Sequence, residues 1–177
     1  MHRLLCLVLV LAVGCAPDAP EGTPTGALEE ELEEEGWRVH VAGPEAGGDH
    51  PGSVLLTRRA EDDGVGGYRP RLVLGCEEGV TQAYVEWGTP LGADTLSVVY
   101  RVDGGEARTA RWPVSTDGEA AGLWTDRTSV PFIRALAGRD LLTLEVAPRD
   151  GPPVTSRLEV GALDSLVAQV QERCGWP

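Results

Sequence analysis

The chain of 177 residues contains no lysine: all fifteen of its basic side chains are arginine. We read that bias as the codon preference of a GC-rich genome, with no mechanistic meaning. There is one phenylalanine, one methionine and three histidines. No GxSxG elbow, CxxC pair or second histidine at metal-ligand spacing occurs, so serine-hydrolase, dithiol and zinc chemistry have no sequence support. The longest apolar run near the N-terminus, Leu4–Val13, has ten residues. A helix needs roughly 20 to cross about 30 Å of hydrocarbon, which this run cannot do.

Placed after Met1-His2-Arg3, that run has the length and flanks of a signal-peptide core. It ends in Leu11-Ala12-Val13-Gly14-Cys15, which looks like a bacterial lipobox. The expectation is cleavage after residue 14 and diacylglycerol on the Cys15 thiol. The other reading is an ordinary secretory leader that happens to end near a cysteine. Residues 15–36 then form a tether: Ala16–Ala27 is rich in Pro, Gly and Thr, and an acidic tract runs from Glu29 to Glu35. Docking of a basic partner is one reading of the tract; the one we favour is a solvated spacer or short helix. Each buried acyl methylene contributes about 0.8 kcal/mol, so several chains hold such a protein at a membrane. Residue 16 is Ala, not Asp, which by the Gram-negative sorting rule favours the outer membrane, facing the periplasm.

Acids outnumber bases 28 to 15, for a net charge of -13, and loss of Arg3 with the leader makes it -14. Nucleic acid and anionic membrane surfaces are poor partners for such a chain. The membrane contact expected here is through the lipid, and an envelope protein is the expected partner.

With Cys6 in the leader and Cys15 lipidated, Cys76 and Cys174 remain. In an oxidising compartment an even pair reads as one disulfide. A cysteine metal or catalytic site would lack partners. From residue 37 to 177 the chain reads as a single β-rich domain. Candidate strands are Trp37–Val41, Ser53–Arg58, Arg71–Cys76, Thr81–Trp87, Thr95–Val102, Ala107–Trp112, Leu141–Ala147 and Val154–Val160. Ala83, Val85 and Trp87 share one face, as do Leu96, Val98, Tyr100 and Val102, with period two. Asp103-Gly104-Gly105 and Glu77-Glu78-Gly79 suit tight hairpins. The fold class expected is an antiparallel β-sandwich, jelly-roll-like, with two helices. One helix is expected at Ser129–Gly138, with Ser129 as its cap. The other is expected at Ala162–Cys174, with an apolar stripe through Leu163, Leu166, Val167, Val170 and Cys174.

Chemistry-bearing residues are sparse. His40, alternating with Arg38 on what reads as an edge strand, is expected to face solvent. Asp49-His50 has no further ligand nearby. Glu61-Asp62-Asp63-Gly64 lacks the spacing of a calcium loop and reads as a polar turn. Acids are plentiful enough for a two-carboxylate glycosidase, but nothing selects a pair. The expectation is therefore a protein without catalytic residues, metal or cofactor. Five tryptophans against one phenylalanine is unusual. Trp87 and Trp112 end strands on apolar faces and are expected in the core. Trp124, in the Gly- and Asp-rich stretch Ser115–Thr128, is the expected exposed one. Arg101, basic among apolar strand neighbours, is expected to pair with Asp103 or to mark a ligand groove with Trp124.

A series of short motifs then falls in a familiar order: Arg71–Cys76, Thr81–Gly92, Val99–Gly105, Trp112 followed by Ser115–Gly118, Pro131–Leu136, Pro153–Thr155, Gly161–Leu163 and the terminal Cys174-Gly175-Trp176. Together, over about Arg71 to Trp176, they resemble the type VI secretion-associated TagO/VasI family. The resemblance implies a periplasm-facing accessory protein with no established catalytic activity, with Cys76 and Cys174 bonding a terminal helix to a β-rich fold. The Asp-rich upstream strand motif usual in that family is missing; Ser53–Thr57 stands in its place. The acidic tract and tether also lie outside the pattern. An alternative role is an envelope ligand-binding module, for glycan or peptidoglycan or as a hydrolase inhibitor.

Overall fold

The structure, a computed structural model, describes residues 29–44, 51–64, 67–149 and 152–176. The expected leader, Cys15, the Pro-rich segment and the Asp49-His50 pair lie outside the described residues. Among the described residues ten strands form two antiparallel sheets, accompanied by two helices. The first sheet has the order β1 (Glu29–Glu34), β2 (Trp37–Ala42), β3 (Ser53–Arg59), β4 (Arg71–Glu77), β5 (Val80–Glu86), β8 (Ala120–Leu123). The second has the order β10 (Val154–Glu159), β9 (Leu141–Val146), β6 (Thr95–Val102), β7 (Arg108–Pro113). The fold class read from the sequence is thus observed: mostly β, two antiparallel sheets, two helices.

The acidic tract is a strand, not the spacer or short helix expected, and the sheet begins at Glu29. The cause is local. Glu35 and Gly36 both have positive φ, at 48° and 81°, the conformation of a two-residue type I′ turn. That turn folds β1 back on β2 with Glu34 opposite Trp37. Arg58 donates to the Glu35 carbonyl at 2.8 Å and holds the turn to the sheet. Glu78-Gly79 builds the same turn between β4 and β5, as expected. Because β1 covers it, β2 is an interior strand, and His40 is not on an edge.

Between the sheets, period-two alternation puts Trp37, Val39, Leu56, Leu72, Leu74 and Val85 against Leu96, Val98, Trp112, Leu142, Leu144 and Leu158. The sandwich is tied at two corners. Val114 bridges to Ala121, and the Glu61 amide donates to the Arg157 carbonyl at 2.8 Å. Helix α1 spans Asp126–Leu136, so it starts before Ser129. Ser129 is not the cap; it is buried, and its hydroxyl donates to the Thr81 carbonyl at 2.7 Å. The acid that meets β5 is Asp126, which accepts from the Thr81 amide at 2.7 Å.

Helix α2 (Leu163–Cys174) buries Leu163, Leu166 and Val170 and ends in Gly175 at φ 63°. Cys174 is bonded to Cys76, with Cα atoms 5.6 Å apart. Trp176 folds back and is buried, its indole N–H donating to Thr81 Oγ1 at 2.7 Å. Thr81 lies opposite Cys76 in the register. One buried pair of strand residues therefore receives the disulfide, the terminal tryptophan and the start of α1. The Cys-Gly-Trp ending is a structural lock: covalent bond, left-handed helix terminus, anchored indole.

Candidate functional site

Both helices pack on the inner side of the six-stranded sheet, so among the described residues no helix covers its outer face. The outward phase of the strands sets the lining. Register aligns Arg38, Thr57, Val73 and Tyr84 in one row across β2 to β5, and His40 and Leu55 in the row beside it. Thr57 and Val73 are buried although they point outward, because flanking side chains wall them in. The result is a trough of two hollows. One, of about 590 Å³, is lined by Glu30, Glu31, His40, Leu55 and Val73 among others. The other, of about 620 Å³, is lined by Tyr68, Glu77, Gln82, Asp117, Glu119 and Trp124 among others. Arg71, Tyr84 and Glu86 line both, which makes the trough continuous.

Its aromatic wall is built by small residues. Trp124 stacks on Tyr84 with centroids 4.8 Å apart and planes at 26°. Gly122 lies opposite Tyr84 in the register, and a Cβ there would come within 2.2 Å of the Tyr84 Cβ. That explains why Ala120–Leu123 is a strand despite its weak propensity: only small side chains let this edge approach Tyr84. The Trp124 indole N–H donates to the Pro113 carbonyl at 3.0 Å and fixes the ring's orientation. Tyr68 packs its ring on Gly88, where a Cβ would be 2.4 Å from ring carbons. The polar turn at Glu61–Gly64 is as expected, and it presents Tyr68 through a 2.6 Å bond from the Gly64 amide to the Tyr68 carbonyl.

Charge in the trough is mostly negative. Arg71 donates twice to Glu86 Oε2, from Nε at 2.7 Å and from Nη2, so these two charges match. Among the described residues Glu77, Asp117 and Glu119 form no ion pair. Ser115 Oγ and the Glu119 amide donate to Asp117, and these bonds hold its carboxyl below the usual range. Burial, then the neighbouring Glu86 and Glu77 charges, push the Tyr84 hydroxyl up to about 12, so it is neutral at physiological pH. At the far end His40 Nδ1 lies 3.7 Å from Glu31 Oε2. No group of three His, Cys, Asp or Glu among the described residues is placed to hold a metal ion. Neutral aromatic faces beside unpaired carboxylates make a surface suited to holding a ligand.

The structure does not bring Arg101 and Trp124 together. Trp124 is half-buried in the first sheet's trough. Arg101 is exposed on β6 of the second sheet, and its Nη1 donates to the Gly105 carbonyl at 3.2 Å. Asp103 is not its partner. Its Oδ1 accepts from the Leu141 and Asp140 amides at 3.0 and 2.9 Å, which lower its carboxyl, with Arg139 3.8 Å away. Of the trough residues, sequence reading singled out Trp124 as exposed and missed the roles of Tyr68, Arg71, Tyr84 and Glu86. The alternation of Tyr84 and Glu86 with buried Ala83 and Val85 was the available signal. The proximity of Tyr68 and Trp124 was not visible at all.

No family model and no curated protein matches the chain. Among solved structures, it is similar to the crystal structure of invasion associated protein B from Bartonella henselae. The match has a TM-score of 0.51 at 15% identity, over 82% of this chain and 97% of that one. At that identity the likeness is one of fold. Among the described residues no helix is long and apolar enough to cross a membrane.

Proposed function

We propose that this chain is a non-catalytic accessory lipoprotein of the cell envelope that holds its partner in the trough of the six-stranded sheet. The observation that carries the reading is the stacked Tyr84–Trp124 wall beside unpaired carboxylates on a sheet face that neither helix covers. The order of motifs resembling the TagO/VasI family supports a place in type VI secretion or a related envelope assembly. The Pro-rich segment after Cys15 supplies a tether of suitable composition.

A photo-crosslinking side chain at position 124, in living cells, tests the binding reading. Adducts are expected from position 124 and not from position 101 on the opposite sheet. Equal labelling from both, or none from 124, overturns the trough as the binding face. The anchor is tested separately: Cys15→Ser is expected to move the protein from the membrane fraction to the soluble one. Retention in the membrane fraction would sink the lipobox.

A further inference from the structure

The chemical class of the trough's ligand follows from its walls. The reading rests on the trough being the binding face. Three aromatic rings, Tyr68, Tyr84 and Trp124, line one hollow with four carboxylates, Glu77, Glu86, Asp117 and Glu119. Its one arginine, Arg71, is already matched to Glu86. Glu77, Asp117 and Glu119 are exposed and without an ionic partner among the described residues. The second hollow adds Glu30, which has no ionic partner among the described residues, and Glu31, whose charge is shared with Arg38 at 3.9 Å and His40 at 3.7 Å. An anionic ligand would meet unmatched like charge in the first hollow, from Glu77, Asp117 and Glu119. A flat cation beside an aromatic face gains from the ring quadrupole, and the neighbouring carboxylates supply its counter-charge.

We propose that the trough takes an extended arginine-bearing stretch of a partner polypeptide, one guanidinium packed on the Tyr84–Trp124 wall and its N–H groups toward Glu77, Asp117 and Glu119. Length favours a chain of cations over a single one: two hollows joined through Arg71, Tyr84 and Glu86 give a path longer than one side chain. Planarity favours guanidinium over ammonium, because it can stack on a ring and still donate in its own plane to carboxylates.

The test is calorimetric titration of the full-length chain in neutral detergent with hexa-arginine, a cationic glucosamine hexamer and a neutral N-acetylglucosamine hexamer. Hexa-arginine is expected to bind tightest. Trp124→Ala is expected to weaken it about five- to thirtyfold, the range of a partly desolvated cation–π contact. Glu77→Gln with Asp117→Asn and Glu119→Gln is expected to weaken it too and to flatten its salt dependence, while Arg101→Ala leaves it unchanged. Near-ultraviolet circular dichroism confirms that each variant is folded. Unchanged binding in Trp124→Ala overturns the proposal, because the cation is then held elsewhere on the acidic surface. Tighter binding of the glucosamine hexamer overturns the polypeptide assignment. Binding of the neutral hexamer alone, lost in Trp124→Ala, overturns the charge argument and leaves the trough as binding face. Silence of all three probes with crosslinks still formed from position 124 removes only the cationic ligand; silence of both removes the trough as well.

Discussion

Replacing Cys76 and Cys174 together by alanine is expected to lower the unfolding free energy by about 4–5 kcal/mol, the chain-entropy value for a loop of this size. The bond joins residues 98 apart in sequence, so its loss returns a large loop to the unfolded ensemble. The same pair of strand positions holds Thr81 and, through it, the Trp176 indole and the start of α1. The apolar stripe of α2 remains, through Leu163, Leu166 and Val170, so the variant is expected to fold and to melt earlier. For a domain of this size the shift corresponds to roughly 10–18 °C in Tm. Urea unfolding of wild type, double variant and reduced wild type measures it. Reduced wild type and double variant should agree closely, and a loss below about 1.5 kcal/mol would show that packing of α2 alone pins the C-terminus.

Trp112→Ala is expected to cost about 3–5 kcal/mol, the range for truncating a buried large aromatic. Trp112 is 1% exposed on β7, and Phe132 of α1 meets its ring edge-on, with centroids 5.6 Å apart. Phe132 also meets Tyr100 of β6 edge-on at 5.6 Å. One helix side chain thus packs against two strands of the second sheet, and removing the indole opens a cavity where α1 seats. Hydrogen exchange should show the loss concentrated in α1 and β7, alongside the drop in urea midpoint. A cost under 1 kcal/mol would mean that the neighbouring side chains collapse into the space. Trp124→Ala is the contrasting case. That ring lies in the trough, half-buried, and the substitution is expected to change ligand binding far more than stability.

The eight strands expected from Trp37 onward are present to within a residue or so at each end. So are the two helices, with α1 beginning earlier. Alternating burial wrote them into the chain: Thr81, Ala83 and Val85 inward, Gln82, Tyr84 and Glu86 outward. Two strands escaped that reading, each for a physical reason. β1 is Glu-Glu-Glu-Leu-Glu-Glu, with almost no apolar residue to alternate, and Leu32 on it is half-exposed. Its strand state comes from the Glu35-Gly36 turn and from pairing with β2, a sheet edge kept soluble by charge. β8 is Ala-Ala-Gly-Leu, and it is a strand because Tyr84 admits only small neighbours. The Glu-Gly pair at 35–36 repeats the one at 78–79, and that repetition was the one local clue to β1.

The pairing of Cys76 with Cys174 was legible by counting, once Cys6 was read as part of a leader and Cys15 as a lipid site. Burial of Trp87 and Trp112 was legible from strand phase. By itself, then, the sequence determined what short-range periodicity and residue counting can carry: the β-rich class, most element boundaries, the helix stripe and the disulfide. Only the tertiary structure decided the site. It placed Arg101 on one sheet and Trp124 on the other, and gathered Tyr68, Arg71, Tyr84, Glu86 and Trp124 into one trough from three separate stretches of chain. The reason is that a strand's inward phase is set by its own alternation, whereas its outward neighbours are set by which strands pair and in what register. That register is a property of the closed sheet, settled by hairpin turns and packing across the sandwich.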